Sequence, residues 1–165
     1  MADMINTYMA NQRDSGFEEE IVQVNRVSKK TKGGNKIGFS VLTVVGNKSG
    51  KVGVGLGKAP DVAAAIKKGV AIAKKHAIDV PIINGTIPFE FYIKLGAAKI
   101  ILKPAPKGSG VIAGGAVRSV VSLAGIQNIS SKVLGTKNQA SNVYATIEAL
   151  QRLAKRYERE KNRKK

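Results

Sequence analysis

The stretch KVGVGLGKAPDVAAAIKKGVAIAKKHAI, from Lys51 to Ile78, carries three glycines at alternate positions and then a run with helical spacing. Successive side chains of a strand point to opposite faces. Val52, Val54 and Leu56 therefore make one face apolar, and Gly53, Gly55 and Gly57 leave the other as bare backbone. Such a face lets a helix or a second backbone come unusually close. Pro60 opens the expected helix, which runs to about Ile78 with Val62, Ile66, Val70, Ala73 and Ala77 on one stripe. Lys67, Lys68, Lys74 and Lys75 share the opposite arc. The glycine spacing is G-x-G-x-G, which matches neither the dinucleotide fingerprint nor the P-loop, so close packing is preferred to nucleotide binding. His76, the single histidine, reads as an exposed residue near the helix C-terminus.

Upstream, Ile21 to Val27 and Ile37 to Val45 are rich in β-branched residues, with Ile37, Phe39 and Val41 at period two. NRVSKKTKGGNK, Asn25 to Lys36, joins them and reads as a long hairpin loop. It holds five cations (Arg26, Lys29, Lys30, Lys32 and Lys36), two adjacent glycines and no acid. Like charges crowded on one loop repel unless an anionic partner shares the site. Gly33 and Gly34 allow the backbone to fold against a surface, Ser28 and Thr31 add hydroxyls, and each cation can meet a phosphate. Lys51 and Lys58, near the two ends of the glycine strand, complete the candidate nucleic-acid-contacting set. A solvated charged turn is the rival reading. After the turn Gly46 to Gly50, the first unit reads βββα.

Downstream, DVPIING, Asp79 to Gly85, marks a domain boundary with a short strand inside it. Thr86 to Leu95 alternates cleanly, Gly96 turns the chain, and Ala97 to Lys103 returns, so a second hairpin is expected. PAPKGSG follows as a loop, then a helix from Ile112 to Ala124 that stops at Gly125, a strand from Ile126 to Leu134, and a final helix marked by Val143, Ile147, Leu150 and Ala154. The second unit reads βββαβα, counting the boundary strand. The fold class is α+β, with two small two-layer domains: an acidic arm over 1–19, a first domain over 20–79, a second over 80–153, and a basic helix end and tail over 154–165.

Charge narrows the partner. The chain has 28 Lys and Arg against 11 Asp and Glu, a formal charge of +17. Five of the acids lie in the first twenty residues, and none occurs from Ile21 to Pro60 or from Phe91 to Ile147. A polyanion such as nucleic acid is the expected partner, since internal ion pairing is not expected to neutralise those surfaces. With no cysteine, one histidine and scattered carboxylates, a catalytic triad or a metal cluster is hard to assemble, and no cofactor is expected. No signal segment or membrane span is visible, so a soluble, cytoplasmic protein is expected. PAPKGSGVIAGGA is similar to the phosphate loop of galactose- and mevalonate-type kinases, but Val111 and Ile112 stand where those loops carry hydroxyl residues.

NRVSKKTKGG, FSVLTVVGNKSGKVGVGLGKA, PAPKGSGVIAGGAVR and NVYATIEAL, in that order from about Glu20 to Leu153, resemble small-subunit ribosomal protein five of bacteria and organelles. The resemblance implies an N-terminal domain similar to double-stranded-RNA-binding modules, a C-terminal two-layer α/β domain, and no enzymatic activity. It implies binding to small-subunit ribosomal RNA and to ribosomal proteins four and eight. It also implies a part in subunit assembly and decoding accuracy, and a place where messenger RNA enters. By resemblance, Val27, Ser28, Lys29, Gly33 and Gly34 belong to a loop that approaches ribosomal RNA near the spectinomycin pocket, while Gly110 and Arg118 contact protein four. Val54 stands where an aromatic residue is frequent in the family and Tyr144 where a basic one is common. Rival readings are a small-molecule kinase using Lys107 to Gly110 and a free double-stranded-RNA-binding protein.

Overall fold

The computed structural model describes residues 16–163. The expected acidic arm lies mostly outside these residues, as do the last two residues of the tail. The elements, in order, are β1 (Glu18–Thr31), β2 (Gly34–Gly46), β3 (Lys51–Ala59), α1 (Val62–Lys75), β4 (Ile78–Asp79), β5 (Phe91–Leu95), β6 (Ala98–Pro104), β7 (Val111–Ile112), α2 (Gly115–Ala124), β8 (Ile129–Val133) and α3 (Gln139–Arg163). Two four-stranded sheets result, ordered β1-β2-β3-β4 and β5-β6-β8-β7. All their pairings are antiparallel except β7 with β8.

The glycine strand behaves as its alternation requires. A Cβ placed on Gly53, Gly55 or Gly57 would overlap the carbonyl oxygens of Ala73, Gly69 and Ala65 in α1. The helix backbone thus lies directly on β3. Ala65, Ile66, Val70 and Ala73 close a small core there with Val41 and Val45. Asp61 caps the helix by accepting from Ala63 N–H at 3.1 Å, and His76 ends it, exposed, with its backbone N–H donating to Ile72 O. The helix therefore starts two residues after Pro60, since an Asp carboxylate can satisfy a first-turn N–H.

The opposite face of the first sheet, with Leu42, Val44, Val52 and Val54, packs into a larger core with Val117, Val120 and Val121 of α2 and Val143, Leu150 and Leu153 of α3. The same core takes Ile93, Ile100 and Leu102 from the second sheet. The layers are α1, first sheet, α2 with α3, second sheet.

β1 binds both neighbouring layers through alternate acids. Glu19 reaches Lys74 of α1 at 3.1 Å, Glu20 accepts a hydrogen bond from the Ser119 hydroxyl of α2, and Glu18 pairs with Lys48 at 2.7 Å. Glu18 and Glu19, read with the arm, are the first residues of this strand. A bulge between Ile21 and Gln23 then puts Val22 and Gln23 on the same side of the sheet.

Several sequence expectations are corrected. α1 ends at Lys75 rather than near Ile78, and the short strand expected within Asp79 to Gly85 lies mostly ahead of it, as β4, which pairs with β3 and so belongs to the first sheet rather than the second. Thr86 to Glu90 is irregular; Ile83 and Thr86 instead bridge a tight turn whose central residues, Asn84 and Gly85, have φ of 52° and 77°. The third strand of the second unit is β7, made from Val111 and Ile112, and α2 begins at Gly115 behind Gly114. The strand expected from Ile126 starts at Ile129, because the Ile126 N–H donates back to Val121 O of α2 and the Gln127 and Asn128 N–H groups donate to Gly85 O. The basic end of the chain is helical to Arg163, held by the Arg156 guanidinium 4.9 Å over the Phe89 ring.

Gly55→Ala should lower unfolding free energy by about 3 kcal/mol, because the methyl group meets helix backbone rather than a movable side chain. Gly33→Ala, which meets open space, should shift the urea midpoint little.

Candidate nucleic-acid interface

The cationic stretch is not a loop. β1 and β2 remain paired to their ends, with Ser28 opposite Ile37, Lys29 opposite Lys36, Lys30 opposite Asn35 and Thr31 opposite Gly34, so Lys32 and Gly33 alone close the hairpin. Gly34 takes φ of 122°, and the Thr31 hydroxyl donates to Gly34 O at 2.8 Å. The sequence reading failed here because lysine and asparagine are poor strand formers, and propensity gives way when a ladder is already running. From Val27 to Lys32 the ribbon extends roughly 17 Å at about 3.4 Å per residue. Its residues from Asn25 to Ile37 are exposed.

Register distributes the side chains. Arg26, Ser28 and Lys30 share the α1 side with Phe39, Ile37 and Asn35; Asn25, Val27, Lys29 and Thr31 share the other with Ser40, Gly38, Lys36 and Gly34. Lys29 and Lys36 are thus like charges directly across a ladder, an arrangement that destabilises an isolated hairpin.

Some acid-free surface is neutralised by acids outside those intervals. Lys48 pairs with Glu18, Lys51 with Asp79 at 3.8 Å, and Lys103 with Glu90 at 3.1 Å. Among the described residues, Arg26, Lys29, Lys30, Lys32, Lys36 and Lys58 have no carboxylate at ion-pair distance. Compensation is therefore partial: Lys48, Lys51 and Lys103 are paired, while among the described residues Lys94, Lys99, Lys107, Arg118, Lys132 and Lys137, like the cations of the ribbon and its root, have no carboxylate at ion-pair distance.

At that root a cavity of about 430 Å³ is lined by Val27, Ser28, Lys29, Lys36, Ile37, Phe39, Lys58 and Pro60, among others. Three ammonium groups surround apolar walls. Val27 and Ile37 are 43% and 41% exposed, so they offer apolar contact beside the charges. Ile37 and Phe39 were not among the sequence candidates, because period two marks them as core without saying where the core ends, and Pro60 read only as the start of a helix. Lys51 stands apart: it lies at the other end of β3 from Lys58, about 24 Å away along the strand, and it is paired with Asp79.

Gly110 and Arg118 flank β7 and the start of α2. Gly110 has φ of 69°, and Arg118 is exposed on the first turn of the helix. The Gly108 and Gly110 N–H groups both donate to the Asn128 side-chain oxygen, at 2.9 and 3.2 Å. The loop's amides are engaged by protein, and β7 separates the loop from the helix, so it lacks the arrangement of a phosphate loop opening directly into a helix. Asn128, 4% exposed, is a positioning residue that no sequence motif pointed to. Val54 is buried in the core, and burial pushes the Tyr144 phenol above its ordinary range.

Two family models match: ribosomal protein S5, N-terminal domain, over residues 17–81, and ribosomal protein S5, C-terminal domain, over residues 93–163. Among curated relatives, the small ribosomal subunit protein uS5 of Thermotoga neapolitana is 54% identical over 137 residues, covering 83% of this chain and 77% of that one. The uS5c protein of Pyropia yezoensis is 49% identical over 154 residues, 93% and 88% of the two chains. The uS5 protein of Nostoc punctiforme is 49% identical over 148 residues, 89% and 85%.

Asn128→Ala would strand two loop N–H groups at once, with an expected cost of about 1–3 kcal/mol. Amide hydrogen exchange at Gly108 and Gly110 should accelerate while exchange within α1 stays unchanged.

Proposed function

Because the chain belongs to the ribosomal protein S5 family, we propose that it is a non-catalytic structural constituent of the small ribosomal subunit. In this reading it binds ribosomal RNA through its cationic ribbon, in the cytoplasm. The observation that carries the reading is a β-ribbon standing clear of the body with Arg26, Lys29, Lys30, Lys32 and Lys36, a facing lysine pair, and no carboxylate in reach. A hairpin that repels itself needs an anion beside it, and RNA phosphates supply one at the spacing of a chain. Val27, Ser28, Gly33 and Gly34 fit close approach, since a Cβ at either glycine would meet open space and the ribbon is thin at its tip.

The same premise extends to assembly of the subunit, accuracy of decoding, and contact with messenger RNA where it enters. Gly110 and Arg118 are proposed to face ribosomal protein four, with protein eight as a second neighbour. Support comes from their placement on a fixed, exposed corner: Asn128 holds the loop and the following helix presents Arg118. A catalytic kinase reading loses its support, because the loop amides that would cradle phosphate are spent on Asn128.

Tagged protein expressed at native level should co-sediment with small subunits at moderate salt. Free migration would leave a stand-alone RNA-binding module as the better reading. Replacing Lys29, Lys30 and Lys32 by Ala should flatten the log–log salt dependence of binding to small-subunit ribosomal RNA by about 2–3 units, at roughly 0.7 to 0.9 per lost phosphate contact. An unchanged slope would remove the ribbon tip from the interface.

A further inference from the structure

A second cavity, of about 600 Å³, lies on the far side of the ribbon's root from α1, and of the sequence candidates only Val27 and Lys58 border it. Its walls come from both structural units. Gln23, Asn25 and Val27 of β1 and Ser40 of β2 form one side, Leu56 and Lys58 of β3 the floor and edge, and Lys137, Asn138, Gln139 and Ala140 the other side. The bulge after Ile21 sets this up by shifting the strand so that Gln23 and Asn25 face the groove instead of the α1 core.

The chemistry of the lining is specific. Two lysines stand on different elements, four carboxamides and a hydroxyl offer both donors and acceptors, and the apolar patch is formed by Val27, Leu56 and Ala140. No carboxylate lines it. Gln23 donates to Asn25 Oδ1 at 3.2 Å, which orients the pair. Asn138 caps α3 by accepting from Ala140 N–H at 3.0 Å, so the positive end of a 25-residue helix opens on the same space as Lys137. The volume is in the range of about 300–1,000 Å³ typical of small-molecule sites. Val27 and Lys58 also line the cavity at the ribbon's root, so these two residues border both cavities.

We propose that this groove takes one unpaired nucleotide of the RNA bound by the ribbon. Its base lies on the aliphatic patch against the Gln23–Asn25 carboxamides, and its flanking phosphates meet Lys58 and Lys137. The inference rests on the RNA-binding reading above and adds a site to it. Unpaired, splayed-out bases are what proteins read through hydrogen bonds in RNA. A duplex would present phosphates, 2′-hydroxyls and shallow minor-groove edges, but no base free to enter the groove. An acidic peptide would match the lysines and leave the donor-rich amide pair and apolar patch without a partner.

The test uses the full chain incorporated into small subunits and irradiated at 254 nm, with mapping of nucleotide adducts on its peptides by mass spectrometry. Adducts are expected on residues 23–25 or 137–140, and they should persist when Lys29, Lys30 and Lys32 are replaced by Ala. Lys137→Ala with Gln139→Ala, both exposed and outside the core, should lower the adduct yield roughly tenfold, and Gln23→Ala with Asn25→Ala should do the same without changing Lys137. Incorporation into subunits with no adduct on these peptides, or adducts indifferent to both double variants, would overturn the groove alone. Cross-links from the groove to another ribosomal protein would overturn it as well. Failure to enter small subunits would sink the RNA reading together with it.

Discussion

The turn from Gly46 to Gly50 donates two main-chain N–H groups to the last carbonyls of α2, Lys48 to Leu123 at 2.9 Å and Gly50 to Ala124 at 2.8 Å. A helix C-terminus leaves its final carbonyls without internal partners. Here a turn of one unit satisfies those of the other. The fit is close enough that a Cβ on Gly46 would overlap Leu123 O, and one on Gly125 would overlap Lys48 O. Val80 N–H, at the start of the linking segment, donates to Gly50 O at 2.7 Å, so the chain between the units is tied to the same turn. Backbone bonds of this kind define position and angle, and the large apolar core then fills around them. The groove beside α3 depends on the joint, because its walls come from both sides of it.

Glycine explains how so thin a protein holds four layers. The Gly53, Gly55 and Gly57 face brings α1 onto β3 with almost no side-chain spacer, and Gly69 returns the contact by leaving room for Thr43, whose hydroxyl donates to Gly55 O at 3.2 Å. That close layer frees the opposite face of the same sheet to carry the larger side chains, Leu42, Val44, Val52 and Val54, into the shared core. A sheet buried on both faces is rigid, and the stiffness of β1 and β2 within it lets their ends project as a ribbon. Acids at the start of β1 support this from the other end, where Glu19 and Glu20 bond to helices on opposite sides.

Patterns that depend on one element were legible in the sequence. The alternate glycines, the stripe of α1, the Gly125 stop and the antiparallel pair at Gly96 all follow from local spacing. Two kinds of feature were not. Strand pairing beyond the hydrophobic segment is decided by the neighbouring strand, so NRVSKKTKGGNK read as loop though it is ladder to Thr31. Sites made by juxtaposition also leave no local trace: Asn128 lies 20 residues from Gly108, whose amide it accepts, and Lys137 lies far along the chain from Gln23. The glycines of β3 told where a helix would come close, but no spacing told which strand β4 would join.

Charge on the ribbon is best understood against the charge elsewhere. Lys48, Lys51, Lys103, Arg152 and Arg156 each meet a carboxylate, all of them at exposed sites where a pair contributes little to stability. Glu18, Asp79, Glu90, Glu148 and Glu160 supply these partners, yet none of them reaches a cation of the hairpin. Placing Lys29 opposite Lys36 costs folding free energy that Gly34 and the Thr31 bond offset only locally. The ladder forms because the rest of β1 and β2 is locked in the core, which lets the body bear an electrostatic strain that a free peptide of the same sequence would relieve by opening. A polyanion laid along the ribbon removes that strain without requiring the backbone to move, so the hairpin presents its cations already ordered, and the entropy of arranging them is spent in folding rather than in binding.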